Sequence, residues 1–200
     1  MIAIVDYQAG NIGSVANALN RIGALDFKIT DDKETIENAD AVIFPGQGRA
    51  GPAMQSLEKS GLDILLPRLT QPFLGICLGM QLLFESSEED NTKALGIISG
   101  NITKLQSGGL PIPHMGWNKV IQVKQSKLFE ELNDNSYFYF ANSYVVDVNS
   151  PNVIATTNYG ESFGVAVEKD NFFGVQFHPE KSAEQGEKVL ENFIKMVKKS

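Results

Sequence analysis

Cys77 is the only cysteine in the chain, and it stands in the run Gly75-Ile76-Cys77-Leu78-Gly79, with a glycine two residues away on either side. The residues before it, "PFLGI", read as a strand, and those after it, "LGMQLLFE", as a helix. Strand, tight turn, helix is the arrangement that lifts a nucleophile above a sheet, and its crowded bend needs small flanking residues. At a helix start, unpaired N–H groups and the helix dipole favour a thiolate over a thiol. A cysteine so placed is expected to be a nucleophile. An unpaired cysteine is equally at home as a small buried hydrophobe, so the motif alone leaves both readings open.

A thiolate nucleophile works with a histidine, and this chain has two, His114 and His178. His178 follows the strand-like run "FFGVQF", and Pro179 after it disfavours helical geometry and keeps it extended. Residues two apart on an extended segment face the same side, so the Glu180 carboxylate is expected to reach the imidazole and fix its tautomer. Nucleophile, base and orienter would then all be present. His114, in "PIPHMGWN", has prolines before it and no carboxylate nearby, which suits a structural or interface role.

Acyl transfer also needs donors for the oxyanion, usually backbone amides where glycine lets the chain turn. "FPGQGRAG" follows the strand "AVIF", so in a parallel sheet its loop lies at the same carboxyl edge as Cys77. The expected donors are the amide of Leu78 and one from Gly46 or Gln47. The loop lacks the G-K-[ST] ending of a phosphate cradle.

The elements that must position these groups are legible in part. "IAIV" and "AVIF" read as buried strands, and "IGSVANALNRIG" as a crossover helix closed by Gly23. Together with the passage through Cys77 they predict successive βαβ units around a parallel sheet. From about residue 97 the helical period fades, and "WNKVIQV", "YFYF", "YVVDV", "VIATT", "FGVAVE" and "FFGVQF" read as strands, some antiparallel. The C-terminal "SAEQGEKVLENFIKMVKKS" predicts a helix capped by Ser182, and "SSEEDNTK" (residues 86–93) a polar, exposed loop. The expected fold is α/β, with a mostly parallel central sheet flanked by helices and additional antiparallel strands in the C-terminal half. Residues 1–200 are expected to form a single domain.

Composition narrows the function. Seventeen basic against twenty-four acidic residues give a formal charge of −7, which disfavours a phosphate backbone as partner. The longest uncharged run, Leu69 to Phe84, falls short of the roughly 20 apolar residues of a membrane span. The residues after Met1 carry no basic segment or cleavage site marking export, and one cysteine forms no internal disulfide, so a cytoplasmic location is expected.

With "GICLGMQ", "GVQFHPE" and "PGQG" in place, the chain resembles the class I (triad) glutamine amidotransferases over nearly its whole length. Within that class, "IPHMGWN", "VDYQAGN" and "YFYFANSY" are most similar to glutaminase subunits of imidazole glycerol phosphate synthase. The resemblance implies that Cys77, His178 and Glu180 hydrolyse L-glutamine through a glutamyl thioester, with no cofactor and no metal. It implies that Gly48, Gln81 and Glu89, with main-chain groups at Ser143 and Tyr144, hold the substrate's backbone. It also implies a heterodimer with a (β/α)₈ cyclase subunit that receives the ammonia, with Asn11, Met115, Trp117, Tyr139 and Lys181 at the interface or the ammonia passage.

The chain departs from the family in three places. Gln47 stands where a small apolar residue is usual, Asn142 replaces a histidine in "YFVHSY", and Gln8 replaces the glycine of "DYG". None touches the triad. Two other readings remain open: a paralogue supplying ammonia for amidination of a surface sugar, and a catalytically weak scaffold that regulates a barrel partner.

Overall fold

The computed structural model describes residues 1–7 and 12–197. Gln8 and Asn11 lie outside them. The first half alternates strands and helices: β1 Ile2–Val5, α1 Ile12–Arg21, β2 Phe27–Thr30, α2 Lys33–Glu37, β3 Ala41–Gly46, α3 Ala50–Ser60, α4 Leu62–Leu65, β4 Phe73–Cys77 and α5 Leu78–Gln81. Strands dominate thereafter: β5 Phe84–Ser87, β6 Thr92–Lys93, β7 Ile98–Lys104, β8 His114–Lys119, β9 Ile121–Gln122, β10 Tyr137–Asn142, β11 Tyr144–Asp147, β12 Val153–Tyr159, β13 Glu161–Lys169 and β14 Phe172–Val175. Helix α6, Ala183–Lys195, closes the described chain.

Among the described residues, one sheet runs in the order β2-β1-β3-β4-β14-β13-β11-β7-β5-β6, with β12 on β13 and β9 on β12. The half from β2 to β14 is parallel throughout. Beyond β14 the pairings are antiparallel, except for β5 on β7. β8 and β10 form a separate antiparallel pair. Period-two alternation splits the apolar strand residues between two cores. Ile2, Ile4, Ile43 and Leu74 pack with Val15 and Leu19 of α1 and Val189, Leu190 and Phe193 of α6. Ala3, Val5, Val42 and Phe44 pack on the other face with Ala53, Met54 and Leu57 of α3. α1 ends as its sequence predicts: Gly23 takes φ 75°, and Ala24 N–H returns to the Leu19 carbonyl at 3.0 Å.

Two local expectations are corrected. The helix after Cys77 is one turn long, and "LLFE" leaves it through a turn at Leu82 and Leu83 into β5, because the Leu83 carbonyl accepts from Ile97 and Ile98 N–H at 2.9 and 2.8 Å. Residues 86–93 are no free loop. They hold the end of β5, a 3₁₀ turn at Glu89–Asn91 and β6, with Ser87 and Thr92 buried.

Candidate active site

β3, β4 and β14 lie side by side and end at the same sheet edge. Register pairs Gly46 with Cys77, so the end of "AVIFPG" is held next to the sulfur-bearing residue. Cys77 takes φ 54°, ψ −110°, a conformation costly for any side chain that has a Cβ. The flanking glycines are there because backbone fills the space around them. A Cβ on Gly75 would sit 2.6 Å from the Gly79 carbonyl oxygen, and one on Gly79 would run into the Phe44 carbonyl. One on Gly46 would collide with the Tyr7 hydroxyl and come within 3.0 Å of Leu78 Cβ.

His178 meets Cys77 from the β14 side. Its Nδ1 donates to Glu180 Oε1 at 2.8 Å, so Nε2 is the nitrogen left to hydrogen-bond Cys77. The route differs from the one the sequence suggests. β14 stops at Val175, and the imidazole and carboxylate approach because Pro179–Lys181 forms a 3₁₀ turn that opens at His178. Burial draws the imidazole pKa down, but hydrogen bonds and charge from Cys77 and Glu180 outweigh it and raise His178 to about 10. All three residues are buried, so that pairing acts with little screening by water.

Ser182 is a second correction. It occupies the position before α6, but its hydroxyl caps nothing there. It donates to the His178 carbonyl at 2.6 Å and accepts from Tyr139 N–H at 2.9 Å. His178 N–H in turn donates to the Tyr139 carbonyl at 2.9 Å. β10 is therefore tied to the histidine turn from both sides.

A cavity of about 170 Å³ opens over the sulfur, lined by Cys77, Leu78, His178, Gln47, Gly48 and Gln81, with Glu89, Ser143, Tyr144 and Lys181 further around its wall. Every residue expected to hold substrate thus faces one hollow. Gln81 Nε2 is spent internally, on the Tyr144 carbonyl at 3.1 Å and Gln176 Oε1 at 2.8 Å, so Gln81 Oε1 is what remains for a ligand. Glu89 accepts from Ala50 N–H at 2.8 Å, and burial, only partly offset by that bond, raises its carboxyl pKa. Gln47 is exposed at the rim. A larger hollow of about 780 Å³, bordered by Gln122, Phe129 and Asp170, has neither cysteine nor histidine among its described lining residues.

Beside the cavity, the β8–β10 pair turns one face outward. Trp117 is 53% exposed, Met115 63% and Tyr137 50%, while Phe138 and Phe140 face the core. Tyr139 lies opposite Trp117, the rings meeting edge to face at 6.3 Å, and Lys181 Nζ is 5.9 Å from the Tyr139 ring centre. His114 faces inward, stacked on Tyr159 at 4.1 Å. Burial lowers its pKa, opposed by the side chain of Asn142, the residue opposite it, which as an acceptor favours the protonated ring.

Four residues at or beside the cavity carry no local signal of that position in the sequence. Gln176 is buried in the "GVQFHPE" run. Tyr7, in "VDYQAGN", is buried with no partner for its hydroxyl among the described residues, and burial followed by the charge of Cys77 pushes its pKa up. Ala141 and Pro113 complete the wall.

An open α/β sheet with a cysteine at its sharp bend, a histidine–glutamate pair and a small polar cavity is an arrangement suited to acyl transfer through a thiolate. The chain belongs to the class I glutamine amidotransferase family, whose pattern matches residues 3–197. It is 46% identical over 196 residues to the imidazole glycerol phosphate synthase subunit HisH of Haemophilus influenzae, covering 98% of both chains. The subunit of the same name from Escherichia coli K12 is also 46% identical, over 98% of this chain and 99% of that one. Among solved structures, a glutamine amidotransferase superposes with a TM-score of 0.76 at 17% identity, covering 98% of this chain and 99% of that one. PurLQS from Thermotoga maritima superposes at 0.72 and 20%, covering 98% of both chains. These two agree in fold.

Proposed function

We propose that this chain is the glutaminase subunit of an imidazole glycerol phosphate synthase, hydrolysing L-glutamine and passing the ammonia to a cyclase subunit. The observation that carries the reading is the meeting of Cys77 and His178 at one cavity, with Glu180 behind the imidazole, beside an exposed aromatic face. In this reading residues 1–200 act as one domain, in the cytoplasm. Among the described residues no helix is long and apolar enough to cross a membrane.

The Cys77 thiolate attacks the carboxamide carbon of glutamine, and the carbonyl electron pair moves onto oxygen. Amides of Leu78 and of Gly46 or Gln47 hold that oxyanion. As it collapses, His178 Nε2–H gives its proton to the departing nitrogen, ammonia leaves, and a glutamyl thioester remains. The now neutral His178 takes a proton from water, whose oxygen attacks the thioester. Cleavage of the C–S bond releases glutamate and restores the thiolate–imidazolium pair. Glu180 keeps the tautomer that presents Nε2. Gln81 Oε1 and the Glu89 carboxylate, both acceptors, suit the substrate's α-ammonium, with Gly48, Ser143 and Tyr144 main chain around its carboxylate.

Free ammonia in water protonates and diffuses away, so the two active sites must be joined. Met115, Trp117 and Tyr139 give the docking face, large rigid apolar anchors being typical of interface centres, with Lys181 between that face and the cavity. The decisive experiment compares Cys77→Ala with wild type in the reconstituted complex. Glutamine-dependent synthesis should vanish while ammonia-dependent synthesis persists; unchanged glutamine turnover would end this reading. Strong stimulation of glutaminase activity by the cyclase and its nucleotide ligand is the expected companion result.

A further inference from the structure

Gln176 is fully buried, and a buried amide is tolerated only where its polar atoms find partners. Its orientation follows from those partners. The Tyr144 carbonyl can only accept, so the Gln81 atom 3.1 Å from it is the donor Nε2. That same nitrogen lies 2.8 Å from Gln176, so the Gln176 atom there must be the acceptor Oε1. The amino group of Gln176 is thereby turned onto Cys77, with Nε2 3.5 Å from Sγ. The relay from Gln81 through Gln176 thus ends in an N–H aimed at the sulfur.

We infer that Gln176 is a further catalytic residue, a fixed N–H donor that holds the Cys77 sulfur as a thiolate, with Gln81 and the Tyr144 carbonyl as its positioning groups. The inference rests on Cys77 being the nucleophile. Sγ faces this N–H donor at 3.5 Å and the Ala141 carbonyl, to which a thiol could donate, only at 4.0 Å; served by the nearer group as an acceptor, the anion is bound more strongly than the thiol. The imidazolium of His178 also stabilises the anion, but it surrenders its proton in every turnover. An amide has no proton to give near neutral pH, so Gln176 stabilises the thiolate without quenching it. Hydrogen bonds to charged groups are strong enough that losing this one should move the thiol–thiolate midpoint up by about one pH unit, a roughly tenfold drop in thiolate at neutral pH.

Because Cys77 is the sole cysteine, the test reads one site. The full chain is alkylated with iodoacetamide across about pH 4 to 10, and the rate is followed by intact mass for wild type, Gln176→Leu and Gln176→Glu. Gln176→Leu should raise the midpoint by about one unit, and Gln176→Glu by at least as much once its carboxyl ionises against the sulfur. A merely structural role would lower the melting temperature and leave the midpoint in place. If Gln176→Leu does not fold, the near-isosteric Gln176→Glu decides. Midpoints equal to a depressed wild-type value overturn the role of Gln176 alone. A wild-type midpoint near the ordinary cysteine value of about 8.5 overturns the nucleophile reading beneath it.

Discussion

Gly75→Ala and Gly13→Ala are the same chemical change with opposite expected signs. At Gly75, in β4, the added methyl would lie 2.6 Å from the Gly79 oxygen, 2.7 Å from its carbon and 2.8 Å from Met80 nitrogen. All three atoms are backbone, so no side chain can swing aside. Reaching the 3.0 Å below which real Cβ contacts are essentially never seen needs an opening of about 0.4 Å, and ordinary contact at 3.4 Å about 0.8 Å. α5 must move off β4 by that much, carrying the Leu78 amide with it. Overpacking of this kind costs about 1–3 kcal/mol, or a fall in Tm of about 4–8 °C for about 2 kcal/mol in a chain this long. A misplacement of 1 Å costs about a hundredfold in rate, so half of that should lower glutaminase kcat/KM about tenfold. Gly13 sits exposed in the first turn of α1 with no atom of the described residues within 4 Å of an added Cβ, and alanine there should add up to about 0.5 kcal/mol and leave activity unchanged. Urea titration and a coupled glutaminase assay on the cyclase complex measure both. Gly75→Ala with wild-type stability and turnover would show that the bend has slack the packing denies.

Trp117→Ala should weaken cyclase binding about thirtyfold by calorimetry, a loss of about 2 kcal/mol, while changing Tm little, since the indole is largely exposed. Unchanged affinity would put the docking face elsewhere. His178 titrates at about 10 in the folded chain against 6.5 ordinarily, so the stability it contributes is complete below about pH 6.5 and is lost as pH rises through about 10. The urea midpoint should therefore fall more between pH 7 and 10 in wild type than in His178→Asn; parallel declines would contradict the raised value. Cys77→Gly should be at least as stable as Cys77→Ala, because strain of about 1–3 kcal/mol at φ 54° is released on losing the Cβ. An unstrained site would instead leave the glycine variant about 1 kcal/mol weaker.

The parts of the site legible in the sequence are those fixed by contacts within a few residues. Gly-x-Cys-x-Gly encodes its own bend, and His178-Pro179-Glu180 encodes its own pairing, although through a 3₁₀ turn rather than an extended strand. What escaped depends on distant partners. Gln176 has its role from Gln81 and Cys77, 95 and 99 residues away, and nothing local distinguishes it from a surface glutamine. Ser182 has the type and position of a helix cap, yet its hydroxyl is claimed by Tyr139, 43 residues away. "LLF" after Cys77 is too short for periodicity to separate helix from strand, and the choice is made by the amides of Ile97 and Ile98. The outward face of β8 and β10 alternates as any edge pair would, so sequence alone could not separate an exposed Trp117 from a core one.

The proposed docking face and the proposed catalytic base share a residue. The Tyr139 ring stands among the outward-facing aromatics, while its carbonyl accepts from His178 N–H and its N–H donates to the Ser182 hydroxyl that also holds the His178 carbonyl. Three hydrogen bonds of 2.6 to 2.9 Å thus close a ring between β10 and the histidine turn. If β10 and the turn separated, Tyr139 N–H, the Tyr139 carbonyl and His178 N–H would lose these partners, a cost of about 1–3 kcal/mol for each group left buried, while the His178 carbonyl would keep Ser182 and Lys181. If a partner docks on the proposed face, a shift of β10 is expected to carry the histidine turn with it. Because a misplacement of about 1 Å at a reacting centre costs about a hundredfold in rate, the proposed docking face and the proposed base are expected to respond together.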